Sequence, residues 1–213
     1  MQVAVALLLA HINPLTKTHV QIISKLSERY RIVHIFPVRF LKDGKEINTK
    51  SFPFPFPIRK NMIESVFANS NNIVVSDSYT FYSPFIKYLP PFLSPYSWIL
   101  RNSIARNVTE GKFISYTGDR IERIALSLYR LNPIRARRLD LSASSVRRML
   151  YCDDPCNRSG YADEYTHAEW QRKVPEGVVQ LINQNWHIVK QFAHCSDRTI
   201  KCMGLKFPID GFF

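Results

Sequence analysis

Eight consecutive apolar residues, Val3 to Ala10, run without a charge or a polar break. A segment this short, rich in Val and Leu, predicts a strand covered on both faces, as in the interior of a parallel sheet. The next segments set the kind of sheet. Val20, Ile23, Leu26 and Tyr30 recur at helical spacing, with charges between them. Ile32-Val33-His34-Ile35-Phe36 then reads as a second strand. Strand, loop, helix and strand in this order favour a right-handed parallel crossover.

The alternation continues down the chain. Residues 59–69 place Met62 near Val66 and Ile63 near Phe67, a short amphipathic helix. Ile73-Val74-Val75 predicts a third strand, residues 97–106 a helix, and Phe113-Ile114-Ser115-Tyr116 a fourth strand. Ile121, Ile124, Leu128 and Leu131 mark another helix, residues 142–151 a capped one, and Val178, Leu181, Ile182 and Asn185 a last one. The expected fold is α/β: a Rossmann-like, doubly wound parallel sheet of about five strands with a small C-terminal helical region. Residues 1–150 would form the core. Residues 151–213 would supply an insertion, a helix and a tail packed on it as a single domain.

Two stretches interrupt the rhythm. Residues 51–57 alternate Pro with Phe, and residues 83–96 carry four prolines among aromatics. Proline lacks the ladder donor, so neither can be a central strand. Both read as ordered loops that either cover the core or wall a pocket for a planar ligand. The tail, residues 207–213, holds three Phe and an Ile, and either packs on the core or meets another subunit.

Charge narrows the partners. The chain carries 29 Lys and Arg against 17 Asp and Glu, a net +12. That balance suits an anionic partner such as nucleotide phosphates, nucleic acid or an anionic membrane, or a surface that only keeps the protein in solution. No apolar run approaches the roughly 20 residues of a spanning helix, so neither a membrane segment nor a membrane partner is expected. No RNA-recognition motif supports nucleic acid as the partner. The apolar N-terminus has no Lys or Arg before it, unlike a secretory signal, and the four cysteines suggest no disulfide framework. Cytoplasmic residence with free thiols is expected. A zinc site from Cys152, Cys156, His167 and His194 would need irregular loops and is disfavoured.

Three motifs can carry chemistry. Asn13-Pro14-Leu15-Thr16-Lys17-Thr18-His19 lies after the first strand and opens the first helix. Backbone N–H groups and the helix dipole attract phosphate there. Thr16 and His19, three residues apart, can reach one spot, and Lys17 adds charge if it turns inward. Ser142, Ser144, Ser145 and Arg147 gather hydroxyls and a guanidinium at a helix start, a fitting polyphosphate cradle. Gly118-Asp119 ends a strand, where Gly permits close approach and Asp can accept from ribose hydroxyls. Each also has a plainer reading as a cap or a turn.

Their order resembles the nucleotidyltransferase superfamily with the (H/T)-x-G-H signature. Residues 10–19 look like its opening motif, and residues 141–147 are similar to its I-S-S/A-T-x-I-R motif. Trp170-Gln-Arg-Lys-Val174-Pro175-Glu-Gly-Val178 resembles the W-x-x-x-V-P-x-x-V stretch of nicotinamide-nucleotide adenylyltransferases, and Arg59-Lys-Asn-Met62-Ile63 their R-x-x-M-I helix. The chain departs at Ala10, His11 and Ile12, and at Thr18 in place of the usual Gly.

The resemblance implies an enzyme that transfers AMP from ATP to a mononucleotide, most readily nicotinamide mononucleotide, giving NAD and pyrophosphate. His19, Thr16 and Arg147 would serve as catalytic residues. Ala10, His11, Asn13, Lys17, Gly118, Asp119, Ser142, Ser144 and Ser145 would bind the nucleotide. Trp98 would stack on the acceptor ring, and Asp77 would meet its polar groups. Mg²⁺ would be bound through substrate phosphates, with no metal held by the protein itself. Alternatives are phosphopantetheine, flavin mononucleotide or a cytidylyl acceptor on the same fold, or a degenerate nucleotide- or RNA-binding protein. A homo-oligomer is left open.

Overall fold

The computed structural model describes residues 5–106, 108, 112–117, 120–135, 142–153, 169–202 and 205–213. The elements run β1 (Val5–Ala10), α1 (Lys17–Arg29), β2 (Ile32–Pro37), β3 (Arg39–Lys42), β4 (Lys45–Glu46), α2 (Phe56–Phe67), β5 (Ile73–Val75) and β6 (Thr80–Tyr82). Then come α3 (Pro95–Arg106), β7 (Phe113–Thr117), α4 (Arg120–Leu128), β8 (Pro133–Arg135), α5 (Ala143–Cys152), α6 (Glu176–Gln184), α7 (Trp186–Ala193), β9 (Thr199–Cys202) and β10 (Leu205–Pro208).

The main sheet has the order β5-β2-β1-β7-β8, with every pair parallel. β1 is central, and its near-continuous apolar run follows from burial on both faces. Strand periodicity divides its side chains. Val5, Leu7 and Leu9 enter a cluster with Phe36, Ile104, Leu126 and Leu131, on the side of α3 and α4. Ala6 and Leu8 enter the larger cluster with Ile23, Met62, Val146, Val178 and Val189, on the side of α1, α2 and α5 to α7. The chain winds one way from β1 through β2 to β5, and the other way through β7 to β8. The crevice between the carboxyl ends of β1 and β7 is therefore the switch point where such sheets take ligands.

A second assembly lies beside this sheet. β3 pairs antiparallel with β4 and parallel with β6, while β9 and β10 form a hairpin. Val38, Phe40, Phe52, Phe81, Phe85, Tyr88, Phe207 and Phe212 close around one another as a mostly aromatic cluster. The Phe-rich tail thus packs inside the chain. Phe207 and Phe212 are buried, and Phe213 is exposed. The sequence pattern did not announce these five short strands, nor α7. The last predicted helix is in fact two, which meet at Asn185.

Arg59 joins the two halves from α2. It is buried, and its Nη1 donates to the carbonyls of His11 (2.9 Å) and Val38 (2.8 Å). Its Nη2 pairs with Glu46 at 2.7 Å, and the other Glu46 oxygen accepts from the Phe56 amide. The bonds at Nη1 and Nη2 offset the burial of this cation, while its Nε is left without a hydrogen-bond partner. Trp170, Val174 and Val178 are core residues, and the Trp170 indole donates to Asp153 at 2.9 Å.

Candidate active site

β1 ends at Ala10, whose carbonyl accepts from the Val38 amide. The chain then turns through Ile12, a buried residue with φ of +44°. A β-branched residue in the left-handed region is strained, a condition that clusters at functional sites. The next residue is a clamp. Asn13 donates from Nδ2 to the Phe54 carbonyl (2.9 Å) and accepts at Oδ1 from the Phe54 amide (3.1 Å). Both ends of its amide are thereby committed to the Pro/Phe loop, and only its backbone carbonyl faces Arg147.

Thr16 caps α1. Its Oγ1 accepts from the His19 amide, and the His19 ring reaches back to accept at Nδ1 from the Thr16 amide at 3.1 Å. Histidine thus takes the reciprocal place that Glu or Gln holds in an ordinary capping box. Burial first, and the Arg147 charge second, lower the His19 pKa to about 4. The ring is neutral near pH 7. With Nδ1 accepting, its proton sits on Nε2, which makes Nε2–H an oriented neutral donor.

Arg147 comes from α5, which Ser142 caps by accepting from the Ser145 amide at 3.2 Å. The two hydroxyls of Ser142 and Ser145 lie 2.9 Å apart. Arg147 Nη1 donates to the Asn13 carbonyl and Nη2 to Ser144 Oγ at 3.0 Å. The guanidinium is buried, and desolvation lowers its pKa.

His11 adds a second neutral ring. It stacks on Phe52 at 4.5 Å and 13°, with Phe40 beyond at 6.4 Å. Burial, then Arg59, Arg147 and Lys206, pull its pKa to about 3. Three cations that converge on one imidazole make a local positive field suited to an anion. Lys206 belongs to β10, where Nζ donates to Ser51 Oγ at 3.0 Å. Asp197 holds that junction by accepting from the Ser51 amide (3.1 Å) and hydroxyl (2.6 Å). Motif reading had no signal for Lys206. It had one for Arg59 and for the Pro/Phe loop, but not for their contact with the site.

The structure therefore gathers Ala10, His11, Asn13, Thr16, His19, Ser142, Ser144, Ser145 and Arg147 at one end of β1. Lys17 is exposed. Asp77 pairs with Arg39 at 2.9 Å and is largely exposed. Trp98 donates to the Phe92 carbonyl and stands edge-on to Tyr129, so its partners lie outside the group around His19. Gly118 and Asp119 lie outside the described residues, as do Cys156 and His167. Cys152, Cys195 and Cys202 are free thiols. The loop of residues 83–96 does wall an apolar cavity, with Leu9, Phe81, Leu100, Tyr129 and Phe207. At about 50 Å³ it is small beside the roughly 150 Å³ known to admit benzene, so it holds no pyridine ring in this form.

No protein-family model matches the chain. No curated protein matches it. Solved structures do. The Plasmodium falciparum nicotinic acid mononucleotide adenylyltransferase complexed with NaAD superposes with a TM-score of 0.53 at 13% identity, over 88% of this chain and 98% of that one. A bifunctional NMN adenylyltransferase/ADP ribose pyrophosphatase from Francisella tularensis, complexed with AMP and a manganese ion, gives 0.54 at 13% identity over 89% of this chain. The chain shares their fold. It spans about half the length of the bifunctional protein, 54%. In this shared fold the group around His19 lies at the carboxyl end of the central strand β1.

Proposed function

We propose that this chain is an ATP-dependent adenylyltransferase. It joins AMP to a phosphorylated small-molecule acceptor, most readily nicotinamide mononucleotide, to give NAD and pyrophosphate. The observation that carries this reading is the fixed, neutral His19 with its proton on Nε2, beside the buried Arg147 and at the start of α1. A neutral imidazole N–H donates a hydrogen bond to a phosphate oxygen without transferring its proton. The names of the superposed enzymes support the same class.

In this reaction an acceptor phosphate oxygen attacks the α-phosphorus of ATP. The bond from that phosphorus to the β-bridging oxygen breaks, and pyrophosphate leaves with the electron pair. The attacking oxygen is already anionic, so no general base is required. The chain supplies position and charge. His19 Nε2–H and the first amides of α1 meet charge on the α- and β-phosphates. Arg147 and the Ser142-capped start of α5 hold the β- and γ-phosphates. His11, Lys17, Gly118 and Asp119 complete the nucleotide side, and Trp98 and Asp77 the acceptor side. Among the described residues no three of His, Cys, Asp and Glu come together as a metal cage. Mg²⁺ would enter as part of the substrate, carried on the triphosphate. The free thiols suit a reducing, cytoplasmic setting.

The test is pyrophosphate release from MgATP against nicotinamide mononucleotide, nicotinate mononucleotide, phosphopantetheine and flavin mononucleotide, with CTP and choline phosphate in parallel. Turnover with a pyridine mononucleotide should fall about 10²–10³-fold in His19→Ala, the cost of one transition-state donor. Turnover with another acceptor alone would discard the nicotinamide assignment. Silence from folded, ATP-binding protein, in the parent and in Thr18→Gly, would discard the enzyme.

A further inference from the structure

Seven of the twelve large apolar side chains most exposed among the described residues fall between Tyr82 and Ile99. Four of them share one corner, where the Pro-rich loop enters α3: Phe92 is 44% exposed, Leu93 69%, Tyr96 48% and Ile99 63%. Apolar groups concentrated like this mark an interaction surface. We propose that this corner docks the protein on an anionic lipid surface, as a peripheral contact with no spanning segment.

The backbone under the corner is prepared for an apolar phase. Pro84, Pro90, Pro91 and Pro95 have no N–H to leave unsatisfied. The amides of Leu93 and Ser94 both bond the Pro90 carbonyl, at 3.1 and 3.2 Å, and the Trp98 amide bonds that of Ser94. The Phe92 carbonyl accepts from the Trp98 indole at 3.1 Å. Internal satisfaction of this kind is what hydrocarbon demands, and what a wet protein interface does not.

Charge selects the lipid. No acidic residue occurs between Asp77 and Glu110, while Lys87, Arg101 and Arg106 fall in that stretch. Lys87 Nζ sits 4.9 Å above the Tyr96 ring, at the root of the apolar corner. A cation with an aromatic belt matches headgroup and acyl boundary together. A second copy of a +12 chain would bring like charge against like.

The full chain should sediment with vesicles of phosphatidylcholine mixed with phosphatidylserine, weakly or not at all with phosphatidylcholine alone, and less as salt rises. Leu93→Ser combined with Ile99→Ser removes only exposed apolar groups and should weaken binding on the order of tenfold or more, with an unchanged melting temperature. Lys87→Ala should cost roughly fivefold. Failure to bind either vesicle at low salt would overturn the proposal, as would binding that the double substitution leaves intact. So would equal binding to both vesicles. A concentration-dependent dimer in the parent that the double substitution abolishes would assign the corner to a second copy instead.

Discussion

The two halves of the molecule are packed by different means. The parallel sheet is filled with aliphatic side chains from nearly every turn of the chain. The aromatic cluster instead draws Phe40, Phe52, Phe81, Phe85, Phe207 and Phe212 from four separated segments. The first core gathers residues along almost the whole chain, from Ala6 to Ala193. The second exists only once the C-terminal hairpin has returned to residues 50 and 51, where Asp197 and Lys206 hold it. The site lies along the seam. His11 leans on an aromatic residue from one half and is flanked by cations from both. The aromatic half is thus a wall of the site as well as a covering.

Phe207 is buried against Phe40, Phe81 and Phe85 at the centre of the aromatic half. Phe207→Ala should cost about 3–5 kcal/mol, read from chemical denaturation. If the two halves melt as one unit, a single transition shifts. A separate early transition would show that the aromatic half unfolds alone.

Arg59→Met tests the link between the halves. Glu46 loses its buried cation, and the His11 and Val38 carbonyls lose their donors. The expected loss is about 3 kcal/mol. A smaller loss that recovers in Arg59→Met with Glu46→Gln would locate the cost in the orphaned carboxylate.

Gly211 gives a finer probe. A Cβ there would fall 2.7 Å from Phe85 Cε2 and 3.0 Å from Ile47 Cδ1. Gly211→Ala should therefore cost about 1–3 kcal/mol through overpacking. A neutral result would mean the aromatic cluster is loosely filled.

The mildest test is acidity. His11 and His19 have folded pKa values of about 3 and 4, below the ordinary 6.5. Below pH 6.5 the unfolded chain binds protons that the folded chain refuses, so stability falls as pH falls toward 4 and is level above about 7. Each ring should contribute a slope of roughly 1 kcal/mol per pH unit through that window. Denaturation midpoints of His11→Phe, measured from pH 4.5 to 7.5, should show a shallower slope than the parent, with His19 and the partly buried His34 supplying what remains. Turnover should show no inflection near 6.5 from His19, which is neutral throughout that range.

The sheet half was legible in the sequence because its elements carry their own signals. An eight-residue apolar run, helical spacing in α1 and a Val-rich β5 each name themselves locally. The short β8 was implied only by the strand count. The aromatic half carried no such signal. β3, β4 and β6 are two to four residues long, and their partners are distant, so a period of two has no length over which to appear. At the site, Thr16, His19, Ser142 and Arg147 stood out because spacing alone brings each to a helix start. Lys206 did not, since only the return of β10 carries it beside Ser51. Asn13 was read as a ligand-facing group. Its side chain instead fastens the Pro/Phe loop, a use visible only once both segments are in space.

The box that closes α1 puts two duties on one side chain. The ring that fastens the helix start is the same ring that presents Nε2–H as a neutral donor. Glutamine at this position could keep the reciprocal cap while losing the fixed imidazole. A lineage with no further need of the chemistry could retire it here by a single codon change and keep a sound fold.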